Sequence, residues 1–311
     1  MKYAIISDIH GNVSALQAVL NDIQLQSVDR FLLLGDFVVG LPWGNEVTEL
    51  IRQLPSVTAV KGNGEEYLQQ LKGSTQQDHI YEQFKPIYWA FNSLSDDNVY
   101  YLVSLPSEAV VIDSCHTIKL THTNHIFNQE PSIDLLDSQT LNQRMKYDRL
   151  THTEHLELIR DIVKTDATIQ SEILQLEPAI YLFGHYHLQY SVEYRGRLFI
   201  NPGSCGRALD WDNAANYTLL DIDYDTITIT ERRVEYDVKQ TVMQLKASEF
   251  SRFAPVWSEL MEQEIISGKD YTNTFVKQLA TIAQEYGPVH FPLNNEIWQL
   301  AVERWDPANA F

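Results

Sequence analysis

Seven side chains able to hold a metal ion or move a proton stand where short apolar runs break off. Asp8 and His10 follow Tyr3-Ala4-Ile5-Ile6, within Asp8-Ile9-His10-Gly11-Asn12. Asp36 follows Phe31-Leu32-Leu33-Leu34-Gly35, and Asn63 follows residues 57–60 and Gly62. His122 closes the run 117–121, and His185 and His187 follow 179–183 in Gly184-His185-Tyr186-His187. These groups offer carboxylate and amide oxygens and imidazole nitrogens, with no thiolate. That donor set suits Mn, Fe or Zn better than Mg or Ca, which prefer oxygen alone. Seven donors exceed the needs of one tetrahedral ion. They fit two ions about 3.5–4 Å apart that share a carboxylate. Taken singly, Gly-Asp and Gly-Asn are ordinary turn dipeptides, and a lone histidine is an ordinary structural residue. The repetition at successive strand ends is what favours chemistry.

The elements that must position these groups can be read from periodicity. After Gly11-Asn12, Leu16, Val19, Leu20 and Ile23 recur at i, i+3, i+4 and i+7, the pattern of an amphipathic helix with Asn12 as N-cap. Strands at 3–6, 31–34 and 57–60 alternate with this helix and with a second one starting near Pro42. The βαβαβ order implies parallel strands, whose carboxyl ends share one edge of the sheet, where ligands bind in such folds. Residues 64–109 read as helical and aromatic-rich, with Tyr67, Tyr81, Phe84, Tyr88, Trp89 and Phe91 serving either helix packing or stacking on a base. Strands at 109–112 and 117–121 follow. Residues 124–176 hold a polar stretch, 130–137, and a helix over 154–164; this is long for a connection and reads as an insertion. A strand at 179–183 precedes a hairpin around Arg195-Gly196, the turn Asn201-Pro202-Gly203-Ser204, and a hairpin around Asp223-Tyr224-Asp225. From Val238 the pattern is helical. The expected division is a domain at 1–236 with insertions near 64–109 and 124–176, and a helical extension at 237–311. That extension is either a surface for a homo-oligomer or partner, or a lid packed on the domain.

Composition bounds the class. The 311 residues are 44% hydrophobic, enough for a large core, with 23 Lys+Arg against 42 Asp+Glu and a net charge of −19. That balance disfavours long nucleic acids, whose binding rests on neutralising phosphates, and leaves a small phosphorylated substrate open. No run approaches the roughly 18 apolar residues of a membrane span. The first strand begins next to Met1, so a cleavable leader is not expected. Cys115 and Cys205 form no CxxC pair and are read as buried structural residues of a cytoplasmic protein. His152 and His155 are read as solvated residues on a helix.

In combination, Asp8-x-His10-Gly11-Asn12, Gly35-Asp36, Gly62-Asn63, His122 and Gly184-His185-x-His187 resemble the calcineurin-like metallophosphoesterases. The resemblance spans roughly residues 1–235 and includes Asn201-Pro202-Gly203-Ser204. It implies an α/β fold, a four-layer α/β/β/α sandwich with helical insertions and a helical C-terminal extension, and a phosphohydrolase with two divalent or trivalent transition-metal ions. One ion would be held by Asp8, His10 and His187 and the other by Asn63, His122 and His185, with Asp36 bridging. A metal-bridging hydroxide would attack phosphorus in line, so Asp36 and Asn63 act in catalysis through it. Asn12, at a helix start, is a candidate for a substrate phosphate oxygen or a plain N-cap. Arg207 is a candidate for the same phosphate or a surface residue.

The chain departs from this family at one position. Many members have a histidine after Gly-Asn that helps protonate the leaving group; here Gly64 stands there, before Glu65. General-acid help is typically worth 10²–10⁴-fold, and a basic alkoxide needs it far more than a phosphate or nucleotide does. The departure favours phosphoanhydrides, such as diadenosine tetraphosphate, or activated phosphodiesters over phosphoserine proteins. Tyr186 and His125 are candidate replacement donors. A serine/threonine protein phosphatase is the enzymatic alternative, and a partner-binding scaffold of the same fold the non-enzymatic one.

Overall fold

A computed structural model describes residues 1–123, 151–224, 226–287 and 292–310. Strand β1 (Lys2–Ile6) pairs in parallel with β2 (Arg30–Leu33), and β2 with β3 (Val57–Ala59). Helices α1 (Val13–Ile23) and α2 (Gly44–Gln53) make the crossovers. The expected βαβαβ unit is present, and its three carboxyl ends lie side by side. On the other flank of β1, β9 (Ala215–Asp223) and β10 (Thr226–Val234) add antiparallel strands, giving the order β10-β9-β1-β2-β3. β1 is therefore central, which is why its apolar residues run without a polar break.

A second sheet has the order β4-β5-β6-β8-β7, from β4 (Glu108–Asp113), β5 (His116–Thr121), β6 (Ile180–Leu182), β7 (Gln189–Tyr194) and β8 (Arg197–Pro202). β5, β6 and β8 run parallel, so His122 and the 184–187 turn leave neighbouring strands at one edge. The sheets face each other across Tyr3, Ile5, Leu32, Ile118, Leu120, Leu182, Ile200 and Leu220. The alternate residues Ala4, Ile6 and Leu33 face α1 and α2 instead, as the two-residue period of a strand requires. Helices α6 (His152–Thr165) and α7 (Ala167–Gln175) cover the outer face of the second sheet. The result is the four-layer α/β/β/α sandwich.

Residues after β3 form α3 (Asn63–Gln70), α4 (Lys85–Ser93) and α5 (Asp96–Ser104). The C-terminal arm is α8 (Val238–Ala247), α9 (Glu249–Phe253), α10 (Pro255–Ser267), α11 (Tyr271–Glu285) and α12 (Asn295–Arg304). Side chains of Asp237, Ser248, Asp270 and Asn294 cap four of its helix starts. Phe250, Trp257, Phe275 and Trp298 build a core there that also takes in Leu41, Trp43 and Trp89 of the N-terminal region. Trp257 Nε1 donates to the Glu82 carbonyl at 2.9 Å, and Gln83 Nε2 to the Leu293 carbonyl at 2.9 Å. The arm thus packs on the helices that follow β3. No helix among the described residues is long and apolar enough to cross a membrane.

Two expectations are corrected. His155 is not solvated: it lies buried on the apolar face of α6 with Ile159, Ile162 and Val163, at i+4, i+7 and i+8. His152 is partly buried, with Nδ1 3.3 Å from Asp210, and beside Arg233. Cys205 is buried as expected, but Cys115 sits in the β4–β5 turn and is exposed. A hairpin tip has no core to enter.

Candidate metal centre

The backbone at the strand ends is bent to aim side chains inward. Asp8, His10, Asp36, His185 and His187 all adopt left-handed conformations, with φ between 50° and 73°. Each non-glycine residue held there costs roughly 1–2 kcal/mol, and such strain concentrates at functional sites. Hydrogen bonds between loops hold it in place. Asp8 N–H donates to Gly35 O at 3.0 Å, His10 N–H to Asp36 O at 2.9 Å, and His185 N–H to the Asp8 carboxylate at 3.1 Å. Two glycines allow the loops to close. A Cβ on Gly184 would lie 1.9 Å from Ser7 Oγ, and one on Gly62 would lie 2.3 Å from Asp36 Oδ1.

Two clusters result, Asp8/His10/His187 and Asp36/His122/His185, each with its ligand atoms within 4.8 Å of one another. Asp36 Oδ2 lies 3.4 Å from His122 Nε2 and 3.7 Å from His10 Nε2, so this carboxylate faces both clusters. Asn63, first residue of α3, is carried to the same place by its neighbours: Gly62 packs on Asp36, and Gly64 N–H donates to Asp36 Oδ1 at 2.7 Å.

The imidazoles test whether the site fits cations. His10 Nδ1 is 2.7 Å from Val39 O, His122 Nδ1 2.7 Å from Leu34 O, and His187 Nδ1 2.6 Å from Arg207 O. A carbonyl only accepts, so each Nδ1 carries a proton and Nε2 is the nitrogen turned to the centre, the arrangement metal-binding histidines use. His10 Nε2 and His187 Nε2 are 3.0 Å apart. With both Nδ1 atoms donating, two lone pairs face each other there, and a cation resolves that contact. His122 Nε2 is buried and makes no hydrogen bond among the described residues; the Asp36 carboxylate is 3.4 Å away. The donors fit two metal ions.

Burial would raise the Asp8 carboxyl, yet the imidazole of His187 facing it holds it down to about 2. Burial likewise opposes ionisation of Asp36, but His122 and His10 keep it well below the usual carboxylate range. Burial pushes His10 down to about 3, with His187 adding to the effect. His122 moves the other way, up to about 10, because Asp36 outweighs burial. The centre therefore keeps Asp8 and Asp36 ionised despite burial and gathers negative charge between the imidazoles, a field suited to cations.

The remaining candidates divide. Asn12 is fully buried; its Oδ1 caps Ala15 N–H at 3.1 Å and its Nδ2 donates to Gly206 O at 2.8 Å. This is the N-cap role, and it leaves the side chain no free surface for a phosphate. Arg207 is largely buried beside the centre, close enough to His10 for its charge to be felt there. Its guanidinium donates to Glu264 (2.6 and 2.9 Å) and Thr272 (3.3 Å) of the C-terminal arm. Tyr186 is buried in the core outside the second sheet. His125 lies outside the described residues.

Two residues went unread in the sequence. Buried Glu65 accepts from the backbone N–H of Asp36 (2.9 Å), Phe37 (3.0 Å) and Gly62 (2.8 Å), tying the second and third ligand loops together. Burial and the nearby Asp36 raise it to about 7. Its signal was its place three residues after Gly62, a capping-box spacing. Buried Glu264 holds Arg207 and left no local signal, because it lies 57 residues away.

Comparison with known proteins bears on this geometry. Residues 1–225 match the calcineurin-like phosphoesterase superfamily domain. An uncharacterized protein of Methanocaldococcus jannaschii is 31% identical over 238 residues, covering 76% of this chain and 88% of its own. A metallophosphoesterase from Sphaerobacter thermophilus is similar in structure, with a TM-score of 0.59 and 23% identity over 86% of this chain and 100% of its own. A hypothetical protein from Pyrococcus horikoshii gives 0.57 and 17% over 82% and 97%.

Proposed function

The chain belongs to the calcineurin-like phosphoesterase superfamily, and from that premise we propose a dimetal phosphohydrolase acting on a nucleotide-type phosphoanhydride. The observation that carries the metal assignment is the set of three imidazoles whose Nδ1 atoms are fixed by carbonyls while their Nε2 atoms converge. Asp8, His10 and His187 would hold one ion and Asn63, His122 and His185 the other, with Asp36 facing both. Mn, Fe or Zn suits this mixed oxygen and nitrogen set. When bound, two such ions supply charge stabilisation for the phosphoryl oxygens and acidify a water. Glu65 and the Val39, Leu34 and Arg207 carbonyls keep the ligands preorganised, so no reorganisation is needed as charge develops. Arg207, braced by Glu264, is the side chain to receive a phosphate oxygen.

The choice of an anhydride rests on Gly64. A Cβ there would lie 3.0 Å from Val38 O and 3.3 Å from Asp36 Oδ1, so the position is tight for any side chain, and it supplies no proton donor. A leaving group that departs without a proton, such as a nucleotide phosphate, suits this site. The test is a panel of p-nitrophenyl phosphate, its bis-ester, diadenosine tetraphosphate and a phosphopeptide, each with Mn²⁺. Diadenosine tetraphosphate should give the highest kcat/KM. A phosphopeptide as the best substrate would overturn the anhydride reading.

A further inference from the structure

A cavity of about 650 Å³ opens between α3, α4 and the C-terminal arm. Its walls include Tyr67, Tyr81, Phe84, Tyr88 and Trp257, and none of the described residues that line it carries a charged side chain. Phe84 makes T-shaped contacts with Tyr81 at 6.1 Å and Tyr88 at 6.2 Å, so one wall is a continuous aromatic row. Gln70, exposed on α3, adds an amide. The size falls in the range of small-molecule sites, roughly 300–1,000 Å³. Tyr67 joins this cavity to the metal centre: it lines the cavity and stands four residues after Asn63 on α3, one helical turn along the same face.

We propose that this cavity receives the nucleobase of the substrate, an assignment that rests on the nucleotide reading above. The division of charge argues for that occupant. In a chain of net charge −19, an anionic group is drawn to bound cations and Arg207, and a neutral cavity lined by aromatic rings takes a flat uncharged group. The nucleotide of the reading above has both ends, an anionic phosphate chain and a planar base. Five aromatic residues and an amide suit a base, which stacks on its faces and hydrogen-bonds at its edge.

The test is calorimetric titration of the Mn²⁺-loaded protein with the methylene analogue of ADP and with methylenediphosphonate, which has the same two phosphorus groups and no nucleoside. The nucleoside-bearing ligand should bind on the order of tenfold more tightly or better. Phe84→Ala, which removes a stacking ring, and Ile87→Trp, which fills the cavity, should each bring the ratio of the two affinities toward one. Equal affinities in the parent protein, or a preference that survives both substitutions, would overturn the proposal. Turnover of diadenosine tetraphosphate separates the two readings. Absent turnover with the preference intact removes the anhydride reading and supports the cavity, whereas turnover without the preference removes the cavity alone.

Discussion

At the scale of single residues, the account depends on fixed tautomers and one shared carboxylate. Asp36→Asn leaves a ligand of nearly the same shape but removes the charge facing both clusters. It should lower turnover on the order of 10²-fold or more and reduce bound metal below two ions per chain, read by elemental analysis. Glu65→Gln keeps the size and loses part of the grip on three backbone N–H groups. Losses in supporting partners typically cost 10–100-fold in metal affinity, so a chelator competition should show a shift of that order. The six residues of the two Asp/His clusters were legible as candidates because each stands where a strand pattern stops and each has metal-binding chemistry. Glu65 and Glu264 were not, because their roles are set by loops and helices far apart in sequence. His155 was misread because two spaced histidines suggested a polar face, whereas Ile159, Ile162 and Val163 fix the buried one.

At the scale of elements, the layers are tied by a partly buried ionic group. Arg233 of β10 pairs with buried Asp210 and, at 3.0 Å, with Asp212, while His152 at the start of α6 joins the same group. Arg233 and His152 together hold the Asp210 carboxyl below its ordinary range against its burial. A lowered carboxylate contributes stability that is present above its ordinary value, near pH 4, and is lost as pH falls through the lowered one. His152 is raised despite burial, by Asp210 and Glu231. Its contribution is present below the ordinary histidine value and is lost as pH rises through the raised one. Asp210→Asn should therefore destabilise the protein at neutral pH by about 3–5 kcal/mol, the usual result of stranding a buried partner. That deficit should shrink in denaturant titrations below about pH 4. Strand and helix positions were legible from periodicity to within a few residues. The antiparallel addition of β9 and β10 beside β1 was not, since a hairpin pattern does not say which strand it joins.

At the scale of the whole molecule, the C-terminal arm is part of the site's support. Its core includes Leu41, Trp43 and Trp89, and Glu264 reaches back to Arg207, whose carbonyl orients His187. Division at residue 237 therefore cuts through shared packing, and calorimetry should show one cooperative unfolding transition rather than two. The arm's helical character was legible from Val238 onward, but its partner surface was not, because nothing local marks which helices it covers. The central claim, a phosphohydrolase that needs two metal ions, is tested most directly by titrating Mn²⁺ into chelator-stripped protein while following p-nitrophenyl phosphate hydrolysis. Activity should be absent at the start and rise to a break at about two equivalents. Hydrolysis that persists after stripping, or never appears at saturating metal in folded protein, would contradict it.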